Sequence, residues 1–365
     1  MKFTIVLGTR PEIIKLSPII RVLDKTNIDW SIIHTNQHYS ENMDKIFFEQ
    51  LNLPKPKYNL GIGSGTHGEQ TGKMLIKVER VLLKEKPNVV IVQGDTNTVL
   101  SGALAASKLN IKIAHVEAGL RSFDRNMPEE INRVLTDHIS DYLFAPTELA
   151  KNNLLKEGIE EDKIFVVGNT IVDATLQNLK IAEKNENVLK FFNSFKNNDY
   201  FLLTLHRSEN VDNKKRLINI IKGILDLTKI YDESIIFPIH PRTKKRLVEF
   251  NLLNKLKNNR KINIIEPIGY LEFLMLEKNA KLILTDSGGV QEEACILKTP
   301  CITLRNNTER PETLSVGANI LVGDDKEKLI NAVNLMLNKN RNWINPFGDG
   351  KSGEKIVKIL INKIN

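Results

Sequence analysis

The chain has 365 residues, 41% of them hydrophobic and 26% charged, and carries a formal net charge of +8. That length supports a large core arranged as two domains, and the charged fraction lies within the globular range. The lysines are scattered and no aromatic platform accompanies them, so the charge reads as a solvated surface rather than a nucleic-acid footprint.

The N-terminus enters an apolar strand, Phe3-Thr-Ile-Val-Leu7, directly, without a signal peptide, and no apolar run is long enough to span a membrane. Strand-like runs continue at Trp30–His34, Val89–Val92, Lys112–His115, Tyr142–Ala145 and Ile164–Val167. A second set follows at Tyr200–Leu205, Ile235–Ile239, Ile262–Ile265, Leu282–Leu284, Cys301–Leu304 and Ile320–Val322. Amphipathic stretches such as Glu69–Lys84 and Lys215–Ile230 separate most of them. Alternation of this kind predicts parallel sheets covered by helices on both faces. Two sets predict two doubly wound domains, with a polar break near Ala182–Asn198. Cys295 and Cys301 fall on a helix and the next strand, with no metal-type spacing. A reduced, metal-free cytoplasmic protein is expected.

Ligands of open α/β sheets bind beyond the C-terminal strand ends, so those ends are read one by one. The first ends in Gly8-Thr-Arg-Pro-Glu12, with Pro11 opening a helix; Arg10 and Lys15 would share the face toward a ligand, while Glu12 and Lys15 equally suit a solvated surface. The second ends in His34-Thr-Asn-Gln-His-Tyr39, where Gln37 and His38 suit hydrogen bonding better than metal. Gly63-Ser-Gly-Thr-His-Gly68 matches a dinucleotide pattern but lacks a strong strand before it, and Gly72-Lys73 lacks the rest of a phosphate loop. Both read as decoys, the first as a flexible loop.

Further on, Gln93-Gly-Asp-Thr96, His115-Val-Glu-Ala-Gly-Leu-Arg121 and Asn126-Met-Pro-Glu-Glu-Ile-Asn-Arg133 bring Asp95, Glu117 and Glu129 or Glu130 to strand ends. Carboxylates sharing a pocket raise one another's pKa, which provides an acid and a base near neutral pH. The second half supplies cations instead: His206 and Arg207, His240, and Arg310 suit a diphosphate. Between them, Thr285-Asp-Ser-Gly-Gly-Val-Gln-Glu-Glu293 reads as strand, tight turn and helix. Asp286 and Ser287 are helix-capping types, Gly288 and Gly289 allow close approach, and the helix start suits a phosphate.

Taken in order, Gly8–Glu12, Gly94–Thr96, His115–Arg121, Pro128–Arg133, His206-Arg207, Thr285–Glu293 and Thr308–Glu312 resemble the non-hydrolysing UDP-N-acetylglucosamine 2-epimerases. The resemblance runs from the first strand to Asn345-Pro-Phe-Gly-Asp-Gly350. It implies a GT-B-like α/β architecture with two Rossmann-like domains, residues 1–170 and 171–345, and the active site in the cleft between them. The last helix, about Gly353–Lys363 within residues 346–365, would cross back onto the first domain. The implied reaction is reversible inversion at C2 of UDP-GlcNAc to give UDP-ManNAc, with no cofactor and no metal. Asp95, Glu117, Glu129 and His206 would be catalytic. Arg10, Lys15, Phe273, Ser287, Gly288, Gly289, Glu293 and Arg310 would bind substrate, Glu293 through the ribose. Gln37, His38, Arg207 and His240 match a neighbouring substrate-activation site of some members. A homodimer is usual in the family. Ile268 departs from the pattern, standing where glutamine is common beside the expected uracil pocket. Competing readings are a GT-B glycosyltransferase, a hydrolysing epimerase, an NAD-dependent oxidoreductase and a catalytically dead nucleotide-sugar sensor.

Overall fold

The computed structural model describes residues 1–37, 41–195 and 199–364. His38 lies outside the described residues. The chain divides into two compact units, Met1–Gln177 with Phe347–Asn365, and Asn178–Pro346.

The first unit is built on β1 (Lys2–Leu7), β2 (Asp29–His34), β3 (Tyr58–Asn59), β4 (Val89–Gln93), β5 (Lys112–Val116), β6 (Tyr142–Ala145) and β7 (Ile164–Val166). They form one parallel sheet in the order β3-β2-β1-β4-β5-β6-β7. The second unit carries β8 (Tyr200–Thr204), β9 (Ser234–Pro238), β10 (Ile262–Ile265), β11 (Leu282–Thr285), β12 (Cys301–Thr303) and β13 (Asn319–Leu321). Its parallel order is β10-β9-β8-β11-β12-β13. Both orders are doubly wound. The strand order reverses beside β1 in one unit and beside β8 in the other, which creates the crevices where such folds take ligands.

Burial explains the strands. Val89, Val90, Ile91 and Val92 of β4 are all fully buried; an unbroken β-branched run is what a strand covered on both faces requires. Each such side chain contributes about 1.5–3 kcal/mol relative to exposure. The expected helices are present as His67–Glu85 and Lys214–Ile230.

Two local readings need correcting. The polar break holds a helix, Glu186–Asn193, capped by Asn185 and burying Val188 and Phe192 on one face, which packs on the helix Tyr270–Asn279. The glycine-rich run is tied down rather than loose: Ile62 N donates to Thr35 O at 3.0 Å and Gly63 N to Asn36 O at 2.9 Å. Its last two residues, His67 and Gly68, already belong to the helix, as do Gly72 and Lys73. The strand before it, β3, is only two residues long, in line with the reading that no strong strand precedes the run.

The helix Arg10–Leu23 contains Pro18, which removes one backbone donor. The Ser17 hydroxyl donates to the orphaned Ile14 carbonyl at 2.8 Å, so the helix continues. Against it packs the terminal helix Ser352–Ile364. Gly353 makes that contact: a Cβ there would lie 3.0 Å from the Pro18 carbonyl carbon.

Candidate active site

In the first unit, Thr9 and Glu12 form a capping box at the exit of β1, with Pro11 in the first turn. Glu12 is only 2% exposed, contrary to its reading as a surface charge. Its Oε2 accepts from Gly8 N at 2.5 Å and Thr9 N at 3.3 Å, and the Thr96 hydroxyl donates to Oε1. Burial pushes the carboxyl up to about 7, with the Thr96 and Gly8 hydrogen bonds opposing it. Glu12 thereby stitches the β1 exit to the loop that carries Asp95. Arg10 follows the same exit, its guanidinium 5.7 Å from the Phe47 ring centroid.

Lys15 is likewise no free surface charge. Its Nζ donates to Glu117 Oε1 at 2.8 Å and Oε2 at 2.6 Å, and Gln93 Nε2 adds a bond of 2.7 Å to Oε2. Glu117 is buried, and its φ of 69° lies in the left-handed region. For a glutamate such backbone costs about 1–3 kcal/mol and is retained where surroundings enforce it. Here Glu117 N and Ala118 N both donate to Phe144 O at 3.1 Å. The result is a carboxylate aimed from a strand end, clamped by an ammonium and an amide.

Asp95 is half-buried and ion-paired with Arg133, whose other nitrogen reaches Glu130 at 2.7 Å. The sequence left Glu129 and Glu130 open, and the structure separates them. Glu130 accepts from Ser122 N, Ser122 Oγ and Phe123 N, each at 2.9 Å. Burial alone would raise its pKa, but these bonds and Arg133 bring it below the usual value. Glu129 instead stands exposed in the first turn of the helix Pro128–Ile139.

Behind this cluster, buried His115 bonds through Nδ1 to Asp137 at 2.6 Å and through Nε2 to Gly94 O at 2.8 Å. Since both ring nitrogens face acceptors, the ring fixes the Gly94 carbonyl and hence the approach to Asp95. Gln37 is buried, its Oε1 accepting from Thr98 Oγ1 at 2.8 Å. His34 Nδ1 accepts from Asn36 N at 2.9 Å.

In the second unit, the exits of β8, β9 and β11 bring His206, His240 and Asp286 together. The His206 and His240 ring centroids are 5.8 Å apart, and His206 Nδ1 lies 3.0 Å from Asp286 Oδ1. Partial desolvation, then the neighbouring His206 and Arg242, lower the His240 pKa. Asp286 does not cap the helix Gly288–Leu297 as its residue type suggested. It is fully buried and accepts from His206 N at 3.0 Å, Arg207 N at 2.9 Å and Asn210 Nδ2 at 3.2 Å.

Ser287 is the N-cap, without a side-chain bond to the helix. A Cβ built on Gly288 would lie 3.6 Å from Glu309 Oε2 and 3.8 Å from Arg207 Nη2, so a carboxylate and a guanidinium both stand beside that helix start. Gly289 is exposed, with nothing within 4 Å of where a Cβ would be. The helix dipole and Arg207 favour an anion at this corner, and the Glu309 carboxylate opposes one.

Glu293 is buried and accepts from Tyr270 Oη at 2.9 Å, while Glu292 pairs with Arg310 Nε at 2.7 Å. Phe273 is half-buried on the helix Tyr270–Asn279. Below Arg310, Arg305 is buried and grips Glu309 through two bonds of 2.9 and 3.0 Å. Burial raises Glu309, but Arg305 outweighs it and holds the carboxyl at about 2.

Residues with a part in this geometry that the sequence reading left unassigned are Glu12, Gln93, Arg133, Tyr270 and Asp286. Each lies within or beside a stretch already singled out, so proximity to a strand end was the available signal. Among the described residues no group of three or more His, Cys, Asp or Glu side chains gathers as a metal site would require. Nor is any helix among them long and apolar enough to cross a membrane.

Two open parallel α/β sheets, each with charged groups at its strand ends, give a fold of the GT-B-like class. The family model described as UDP-N-acetylglucosamine 2-epimerase matches residues 21–361, and the chain belongs to that family. It is 82% identical over 361 residues to the UDP-N-acetylglucosamine 2-epimerase of Methanocaldococcus jannaschii, covering 99% of each chain. A Methanococcus maripaludis protein of the same description is 68% identical, again over 99% of each. A crystal structure of the Methanocaldococcus jannaschii UDP-GlcNAc 2-epimerase in complex with UDP-GlcNAc and UDP matches with a TM-score of 0.90 at 82% identity, covering 99% of this chain and 100% of that one.

Proposed function

We propose that this chain catalyses the reversible epimerisation of UDP-GlcNAc at C2 to give UDP-ManNAc, as a non-hydrolysing epimerase. The observation that carries the reading is Glu117, a buried carboxylate on left-handed backbone, its side chain clamped by Lys15 and Gln93. Moving a poorly acidic proton needs a positioned base of this kind.

The C2 hydrogen has no neighbouring carbonyl, so the sequence of bond changes begins at C1. The C1–O bond to UDP breaks, its electron pair leaving with the diphosphate, and oxocarbenium character builds at C1. A carboxylate then takes the C2 proton, and the C2–H electron pair forms the C1=C2 bond of 2-acetamidoglucal. Protonation at C2 from the opposite face and return of UDP to C1 give the epimer. No electron is gained or lost overall, so the chemistry is redox-neutral. Asp95, Glu117 and Glu129 supply the proton-transfer groups. Arg207, Arg310, His206 and the helix start at Gly288 stabilise the charge that develops on the departing diphosphate, and Glu293 receives the ribose hydroxyls. The product is an activated ManNAc donor for polysaccharide or glycoconjugate synthesis.

The test is proton NMR of UDP-GlcNAc incubated with the protein in D₂O. UDP-ManNAc carrying deuterium at C2 is expected. Free ManNAc with UDP would move the chain to hydrolysing chemistry, and unchanged UDP-GlcNAc that demonstrably binds would end the epimerase reading.

A further inference from the structure

Asp286 stands outside every role assigned above, and its two carboxylate oxygens do different things. Oδ2 lies in a nest of donors: His206 N at 3.0 Å, Arg207 N at 2.9 Å and Asn210 Nδ2 at 3.2 Å. Oδ1 meets His206 N at 3.1 Å and the His206 ring at Nδ1, 3.0 Å away. The carboxylate is fully buried, whereas the His206 side chain is 39% exposed. An ionised carboxylate only accepts, so the nitrogen facing it must carry the hydrogen.

We propose that Asp286 is a positioning residue: it fixes His206 as the Nδ1–H tautomer, so that Nε2 is the nitrogen available for proton transfer or charge stabilisation during turnover. This rests on the role given to His206 under the proposed function and deepens it. The same contacts explain why the strand-end Asp was misread as a helix cap. It satisfies the β8 exit and the ring at once, coupling backbone position to the ring's proton.

The geometry also dictates what Asp286→Asn does. Three N–H donors converge on Oδ2, so the amide oxygen of the variant takes that place. The NH₂ group is left opposite His206 Nδ1, which must then accept, and the hydrogen moves to Nε2. The backbone of the loop keeps its acceptor while the ring presents the wrong nitrogen. Loss of a correctly poised acid–base group lowers kcat by about 100- to 10,000-fold.

The experiment uses the full-length protein with ¹⁵N-labelled histidine, at a pH well above the imidazole range. Long-range proton–nitrogen spectra report the His206 tautomer, assigned by its loss in His206→Asn. Wild type is expected in the Nδ1–H form and D286N in the Nε2–H form. With UDP-GlcNAc as substrate, D286N should lose kcat by the stated factor and keep KM within about threefold. D286N added to H206N should cost nothing further, because the effect runs through the ring.

A wild-type ring already in the Nε2–H form overturns the proposal without any variant. Wild-type kcat in D286N, or an independent loss in the double variant, overturns it as well. If wild type leaves UDP-GlcNAc unchanged, the epimerase reading falls; the tautomers of wild type and D286N then decide the Asp286 assignment alone.

Discussion

Replacing Glu12 by glutamine gives a direct test of the buried stitch between β1 and the Asp95 loop. The wild-type carboxyl is raised from 4.5 to about 7 by burial. In that interval the folded chain holds the proton while the unfolded chain has released it. Stability therefore falls as pH rises from about 4.5 to about 7, and is level on either side. The shift corresponds to about 3 kcal/mol at 1.36 kcal/mol per unit. Glutamine keeps an oxygen for Gly8 N and Thr9 N and presents an amide to the Thr96 hydroxyl, without a charge to desolvate. E12Q should thus match wild type near pH 4.5 and exceed it by about 3 kcal/mol at pH 8. Urea unfolding across this range, followed by Trp30 fluorescence with Trp343 replaced by phenylalanine in both proteins, isolates the first unit. Taking the difference between the two proteins cancels every other titrating group. A difference that stays flat, or shrinks as pH rises, would refute the burial argument.

Two further outcomes follow from packing. Gly353→Ala places a Cβ 3.0 Å from the Pro18 carbonyl carbon and 3.2 Å from Ile19 N. Backbone atoms yield poorly, so a destabilisation of about 1–3 kcal/mol is expected in urea melts, against the gain alanine usually brings to a helix; unchanged or increased stability would show that the two helices separate at no cost. Cys295 and Cys301 are both fully buried, and burial pushes the Cys295 thiol up to about 12 and Cys301 higher still. Neither should react with a thiol reagent in the native protein, and both should react in urea; rapid native labelling at either would contradict their burial.

The strands of the central sheets were legible because their burial is local: runs such as Val89–Val92 carry their own signature. The edge strand Tyr58–Asn59 was not, because two residues after a proline-rich approach leave no periodicity to detect. The helix Glu186–Asn193 was hidden by its polar residues, although Val188 and Phe192 stand four apart on one face. Within the candidate site, residue types at strand ends were readable, but their pairings were not. Lys15 meets Glu117 across 102 positions of chain, and Glu12 meets Thr96 across 84. Asp286 likewise has all its polar partners far away in sequence, which is why helix capping was the natural local expectation. Side-chain chemistry marks what a residue can bond to; only the sheet order decides which partner it meets.

The terminal helix has a consequence for how the chain is made. The first unit is closed by residues that leave the ribosome after the whole of the second unit, since Ser352–Ile364 covers the helix Arg10–Leu23. Until that segment is made, Ile19 and its neighbours lack that cover, however early the β1–β7 sheet assembles. A product that stops short of Ser352 presents an uncapped apolar face, the kind of surface that chaperones and proteases recognise. The seam at Gly353 and Pro18 therefore acts as a check on synthesis, passed only once the second unit and the helix after it have been made.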